Sequence, residues 1–592
     1  MRTAGGRQAL TLTLTGGCRS DSTGLDVAMN ESDLPGGGAP GVGRDQRPIR
    51  RAAPVVHEPL LFFNPEVFDR FNARVLDPAT AVRAPGQTAI RSTAYIADRL
   101  IVSGSADEYT RASLAQAAGN YRLAVMTVGD PIARAGLAAR DLDVDVRHMF
   151  AQTVRLVAGS DAPSAPPDAW KVLQTFRTLI GPDHPGQRQV ALDHLMTACP
   201  YVNGSPYVNG SPYVNGSPYV NGSPYVNGSP YVNGSPYVNG SPYVAQYGMP
   251  GWGGRMPVAW VGGAPPRTPD AEMSARRPVI AVLDTGVGEH PWLKGVVRTD
   301  ASVLGVPIGI QDPATDPEAT GVIDDPLCGL LDSDSGHGTF IAGLIRQTCP
   351  DADILAIRVM VSDGAVAESD LLETLNLLAL RQVLAQAADE PANVIDVVVL
   401  SLGYYHEQPD DLSFDPQILR PLRSLGECGV AVVVAAGNDS TARPMFPAAF
   451  TPYAGGVIGV PEAGCVPVIS VGADNPDGSV ALFSNAGPWV ACHRLGAALV
   501  STLPVTFNGA FGPSLRTWVP GEGWRETIDP DDFGGGFGTW SGTSFAAPIL
   551  AGELAACLLD GSCGSIDPID ADSATDRGWK SVTNQVSGLV RP

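Results

Sequence analysis

No run of eighteen apolar residues occurs in this 592-residue chain, so no membrane-spanning helix is expected. Basic residues are scarce: 39 Lys and Arg stand against 61 Asp and Glu, a formal charge of −22. That balance argues against nucleic acid or an anionic membrane as the main partner and is read as a device for solubility. Nine cysteines are scattered without a Cys-x-x-Cys pair or a metal-ligand spacing with histidine. They are expected to be mostly reduced, buried small residues, with one or two disulfides in the second half left open. The start carries no convincing signal peptide: Arg2 and Arg7 lead into alternating Leu and Thr, not an apolar core. A cytoplasmic product is the expectation, and a secreted one if the true start lies elsewhere.

What is present divides the chain. Its length exceeds one ordinary core, and 44% apolar content supports folded domains, while 68 Gly and 52 Pro point to unstructured stretches beside them. Residues 1–54, rich in Gly, Ser, Asp and Arg, read as disordered. Residues 55–198 read as a small α+β domain. Its expected strands are Asp98–Gly104, Tyr121–Val128 and Met149–Gly159; its helices are Ser105–Ala118, with Ser105 as N-cap, and Pro167–Ile180. Its histidines, His57, His148, His184 and His194, are dispersed and are read as structural or exposed. Residues 199–276 read as a flexible linker around seven perfect copies of Tyr-Val-Asn-Gly-Ser-Pro over 201–242. Six residues cannot bury an apolar face, Asn-Gly and Ser-Pro favour turns, and a Pro in every unit opposes a sheet. The leading reading is a tether; excised peptide units and a multivalent binding module are the alternatives.

Residues 277–592 alternate apolar strands with helical segments: PVIAVLD, ADILAIRVM, VIDVVVLSLG, GVAVVVAAGN and VPVISVGAD, with an amphipathic helix over Glu368–Asp389. This predicts an α/β fold, a mostly parallel sheet covered by helices on both faces, with functional residues at the carboxyl ends of strands. Asp284 ends the first strand and Asn438 the fourth. His337 (SGHGTFIAGLI) and Ser544 (SGTSFAAPILAGELAA) open apolar helices rich in small residues. A nucleophilic serine needs a base, the base needs an anion to fix its tautomer, and the tetrahedral oxyanion needs donors. Ser544, His337, Asp284 and Asn438 are the residue types for those roles, and a helix N-terminus adds backbone N–H groups beside the serine.

The blocks DTGV, GHGTFIAG, AAGN and GTSFAAP, in that order, resemble the subtilisin-like serine proteases, the subtilase family, over roughly residues 277–560. The resemblance implies a subtilisin-like three-layer fold and a serine endopeptidase acting on protein or peptide substrates. It assigns Asp284, His337 and Ser544 to the triad, and the Asn438 side chain and Ser544 N–H to the oxyanion hole. It assigns Ser401, Leu402 and Gly403 to one wall of the primary specificity pocket and Ala435, Ala436 and Gly437 to the other. The chemistry requires no cofactor. Many members bind calcium, but no acidic loop here identifies a site, and Asp332 and Asp334 are read as exposed loop charges. Phe340 stands where the family often has a second histidine. Thr506–Trp540 reads as an insertion, either a rim or lid or a plain surface loop. Subtilases are often made with a small α+β pro-domain that blocks the cleft, and residues 55–198 loosely resemble one in strand–helix–strand order. The N-terminal domain is therefore expected as an intramolecular inhibitor in a self-processing chain. An accessory domain, a catalytically silent scaffold, and a protease that releases the repeat peptides are the alternatives.

Overall fold

The computed structural model describes residues 59, 61, 65–87, 89–128, 151–159, 166–198, 254–408, 417–453 and 462–592. The expected disordered start, the repeat, His57 and His148 lie outside them. The described residues form one compact unit.

The first half builds an antiparallel sheet with two helices of 12 residues each. Its elements are β1 (Ala94–Val102), α1 (Glu108–Gly119), β2 (Leu123–Thr127), β3 (Gln152–Ala158), α2 (Ala169–Ile180) and β4 (Val190–Ala198), with strand order β4-β1-β3-β2. Helix α1 starts three residues after the expected Ser105. Asp107 is its N-cap and accepts from Thr110 N at 2.8 Å, while the Ser105 hydroxyl is paired with Ser103 at 2.9 Å. Leu100, Leu114, Trp170, Leu173 and Phe176 fill the space between sheet and helices.

The second half holds a seven-stranded sheet. Its strands are β5 (Val279–Asp284), β6 (Val297–Arg298), β7 (Asp353–Arg358), β9 (Val397–Leu400), β11 (Ala431–Ala435), β12 (Val468–Asp474) and β13 (Cys492–Leu495). Short β8 (Ala365–Ala367) and β10 (Leu402–Gly403) stand apart from it. The sheet order is β13-β12-β11-β9-β5-β7-β6, with every pairing parallel, as the alternating sequence pattern predicts. The helices are α3 (His337–Thr348), α4 (Glu368–Ala387), α5 (Leu419–Glu427), α6 (Thr543–Leu559) and α7 (Ala571–Gln585). Helix α4, expected to be amphipathic, is buried over most of its surface, because β4 and α5 pack against it as well. Cys557 and Cys563 are paired in a disulfide beyond the main core.

Two expectations fail on burial. Asp332 and Asp334 are buried, not exposed. Asp332 Oδ2 accepts from Ile323 N at 2.6 Å and Asp324 N at 3.1 Å, and Asp334 Oδ2 accepts from Ser333 Oγ at 2.6 Å. These bonds fold the loop that delivers His337. The end of the expected linker is also packed. Arg255 is buried and donates to the carbonyls of Asp332 (2.6 Å), Ser333 (2.9 Å) and Ser335 (2.7 Å). Met256–Pro257 adds a short strand to Phe537–Trp540. A Gly- and Pro-rich composition concealed these contacts, because they are made by one arginine and by backbone atoms rather than by an apolar pattern.

The two halves meet through β4. Its first part pairs with β1, and its last residues run between two strands of the second half. Leu195, Met196 and Thr197 pair with Ala367, Val366 and Ala365 of β8; Thr197 and Ala198 pair with Gly403 and Leu402 of β10. Ala198 N donates to Gly364 O at 2.7 Å.

Candidate active site

Asp284 is the last residue of β5, in the middle of the sheet, and His337 opens α3. They meet because α3 approaches the turn after β5 closely: a Cβ on Gly338 would lie 2.0 Å from Gly286 O. Gly336 takes φ +87° at the helix N-cap, a left-handed conformation that suits glycine. Asp284 Oδ1 and His337 Nδ1 lie 2.7 Å apart, and both residues are buried. Burial opposes protonation of His337, but the charge and hydrogen bond of Asp284 outweigh it and raise its pKa. His337 Nε2 is buried without a hydrogen-bond partner. Phe545 (ring centroids 5.2 Å) and Trp540 (5.7 Å) wall the ring.

Ser544 is the second residue of α6 and is buried. Helices α3 and α6 pack tightly: a Cβ on Gly552 would meet Thr348 at 2.6 Å, and the Phe340 and Phe545 rings meet at a tilt with centroids 4.5 Å apart. Phe340 thus fills the helix contact. Ser544 Oγ donates to Ser401 O at 3.3 Å, and Ser401 Oγ returns a bond to Ser544 O at 3.0 Å. Asn438 Oδ1 accepts from Thr543 N and Thr543 Oγ1, both at 2.9 Å, which turns the amide NH2 end away from Thr543. Asn438 lies three residues past the end of β11, not on it.

The expected pocket residues sit together. Leu402 and Gly403 pair with β4, as described above. Ala435 ends β11, Ala436 O accepts from Asn485 Nδ2 at 2.9 Å, and Gly437 takes φ +100°. A Cβ on Gly437 would lie 2.3 Å from Asn485 Nδ2, so that position requires glycine. The structure thus groups Asp284 with His337, Ser544 with Ser401, and Asn438 with the start of α6; Ser544 Oγ and His337 Nε2 are not hydrogen-bonded to each other.

Sequence reasoning missed Glu318. It is buried, and its oxygens meet Thr285 Oγ1 (2.5 Å), Gly336 N (3.1 Å) and Thr339 Oγ1 (2.5 Å). Burial lifts its pKa to about 7. Thr285 Oγ1 also lies 3.1 Å from Asp284 Oδ1, and a hydroxyl donates only one proton. With Glu318 protonated, that proton is free to go to Asp284. A lone Glu inside DPEATG carries no sequence signal for this role. Among the described residues, His194, His406 and Glu407 lie close enough together to share one ion.

Residues 275–561 match the Subtilase family. Serine protease AprX of Bacillus subtilis is 29% identical over 303 residues, 47% of this chain and 56% of that protein. An intracellular serine protease of Paenibacillus polymyxa is 27% identical over 287 residues, 47% of this chain and 65% of that protein. The chain thus spans less than two thirds of the length of these relatives. Fervidolysin from Fervidobacterium pennivorans, described as a keratinolytic enzyme related to subtilisin, is a similar solved structure at 18% identity, with a TM-score of 0.39 over 84% of this chain and 62% of that one. No described helix is long and apolar enough to cross a membrane. Residues 275–561 of this chain form a subtilase-family domain.

Proposed function

We propose that this chain is a serine endopeptidase held closed by its own N-terminal segment. In this reading Ser544 Oγ attacks the peptide carbonyl and gives its proton to His337 Nε2, which passes it to the leaving amine. Asp284 fixes the ring tautomer through Nδ1 and stabilises the cation. The Asn438 NH2 group and the Ser544 N–H stabilise the oxyanion. In this reading the Ser544 hydroxyl leaves Ser401 O for His337 Nε2, which is buried without a hydrogen-bond partner. Hydrogen bonds of this kind are often loose before substrate is in place. The residues supply the whole reaction, so no cofactor is required.

The observation that carries the reading is the path of residues 195–198. They lie extended between β8 and β10, beside Leu402 and Gly403, as a bound peptide would. The same observation supports the segment from 55 to 198 as the intramolecular inhibitor. Self-cleavage between 198 and 277 would then separate inhibitor from enzyme, with the repeat as the tether.

The test is labelling by a fluorophosphonate probe together with intact mass over time. The wild type should label at Ser544 and lose its N-terminal half; Ser544→Ala should do neither. Hydrolysis retained by Ser544→Ala would sink the assignment. A wild type that labels but stays whole would remove self-processing and leave a permanent accessory domain.

A further inference from the structure

A second buried cluster lies one residue before the inserted stretch 195–198. His194 Nδ1 is 2.6 Å from Glu368 Oε2, and its Nε2 is 3.0 Å from Glu407 Oε2. The ring stacks on Tyr404 with centroids 4.4 Å apart, and the Tyr404 hydroxyl donates to Glu368 Oε1 at 3.3 Å. Arg177 Nη2 lies 3.9 Å from Glu407 Oε1. The two cations come from the N-terminal segment, on β4 and α2. The two carboxylates come from the subtilase-family domain: Glu368 opens α4 and Glu407 follows β10.

The strand's alternation makes this a feature of the cleft. His194, Met196 and Ala198 share one face of β4. Met196 is fully buried within the core of the second half. A peptide in this path therefore sends an apolar side chain into that domain, and a cation two positions earlier.

A metal is the rival occupant, since His194, His406 and Glu407 lie close together. The hydrogen bonds argue against it. Gln408 N donates to His406 Nδ1 at 2.9 Å, so the neutral ring carries its proton on Nε2, the atom that faces Glu407 at 3.5 Å. Burial keeps that ring neutral, with its pKa lowered to about 3. Both nitrogens of His194 already face carboxylates. The cluster is charge-balanced for organic cations.

We propose that Glu368 and Glu407 form an acidic subsite of the peptide cleft, which accepts a cationic side chain two residues before an apolar one, and that His194 occupies it in the intact chain. The proposal rests on the endopeptidase reading above. When the N-terminal segment leaves, His194 and Arg177 leave with it, and both carboxylates lose cations that face them. A Lys or Arg of a substrate peptide restores the balance, whereas Gln restores only hydrogen bonds and Glu adds repulsion.

The test uses the full chain carrying His194→Gln, in which the subsite has lost its cation. Nonapeptides copying Val190–Ala198, with Lys, Arg, Gln or Glu in place of the histidine, compete with fluorophosphonate labelling of Ser544. Lys and Arg peptides should protect at concentrations about tenfold or more below the Gln peptide, with the Glu peptide weakest. The preference should collapse when Glu368→Gln and Glu407→Gln are added. Equal protection by all four peptides, or none by any of them on a chain that labels, overturns the proposal. If Ser544 does not label at all, the endopeptidase reading has failed instead. Fluorescence anisotropy of the same peptides on the same chain then decides the subsite alone: a Lys and Arg preference supports it, and equal or absent binding overturns it.

Discussion

His337 and His194 lie in different halves of the chain, and each is buried with an acid against its ring. His337 has one carboxylate, on Nδ1, and a buried Nε2 without a partner. His194 has a carboxylate on each nitrogen. In both rings burial disfavours the cation and neighbouring carboxylates overcome it; for His194 the pKa rises to about 10. The difference is the second nitrogen. A ring with one open nitrogen can take a proton and return it, while a ring held by carboxylates at both must keep both protons. The first arrangement suits a general base and the second a fixed charge.

The largest test of that contrast is loss of activity. His337→Ala or Ser544→Ala should lower hydrolysis by about 10⁴- to 10⁶-fold, and Ser544→Ala should leave the thermal melt near that of the unprocessed wild-type chain. His194→Gln should do the reverse. It leaves two buried carboxylates without their shared cation, a change that costs roughly 3–5 kcal/mol for a buried pair. The inserted strand should loosen, and probe labelling of Ser544 should rise about a hundredfold or more. If His194→Gln abolished hydrolysis as His337→Ala does, the two rings would not be doing different jobs.

The same contrast has a pH sign. His194 is charged in the folded chain to about pH 10, well above its ordinary value. Its stabilising effect is therefore complete below about pH 6.5 and fades as pH rises toward 10. The melting temperature gap between wild type and His194→Gln should shrink over that window. A gap independent of pH would mean that the ring acts by packing alone.

The sheet and the His337 half of this comparison were legible in the sequence because they repeat along it. Five apolar segments mark five of the seven strands of the sheet, Asp284 stands at a strand end, and His337 and Ser544 stand at helix starts, with Asn438 three residues past β11. The His194 half was not legible. Its members, at 177, 194, 368 and 407, come from four separate elements and share no spacing. His194 was read as dispersed, but only the antiparallel register of β4 brings it to Glu368 and Glu407. Arg255, held by backbone carbonyls, and Glu318, held by two hydroxyls and one backbone N–H, escaped for the same reason: a single buried polar residue leaves no periodic trace.

Glu318 sharpens the comparison from the His337 side. Its carboxyl is buried behind Asp284 and titrates near pH 7, so its neutral form is favoured in the folded chain. Stability tied to this group is complete below about pH 4.5 and declines as pH rises through 7. Glu318→Gln mimics the neutral form and should lose nothing there. Its melting temperature, relative to wild type, should climb between pH 5 and pH 8, with hydrolysis changed only a few-fold. A relative melt that falls over that range would mean that Glu318 is held as an anion.

The smallest expected effect separates charge from contact at His194. Tyr404→Phe keeps the ring stacked on His194 and removes only a hydroxyl that donates to Glu368 at 3.3 Å, a long bond. Its loss should weaken the inserted strand by about 0.5–1.5 kcal/mol, a two- to tenfold rise in Ser544 labelling and well short of His194→Gln. Should the two substitutions release the strand equally, the hold would lie in the ordering of Glu368 by Tyr404. The cation would then be a passenger. A clear gap between them assigns the hold to the charge, and with it the contrast between a histidine that moves a proton and one that never lets it go.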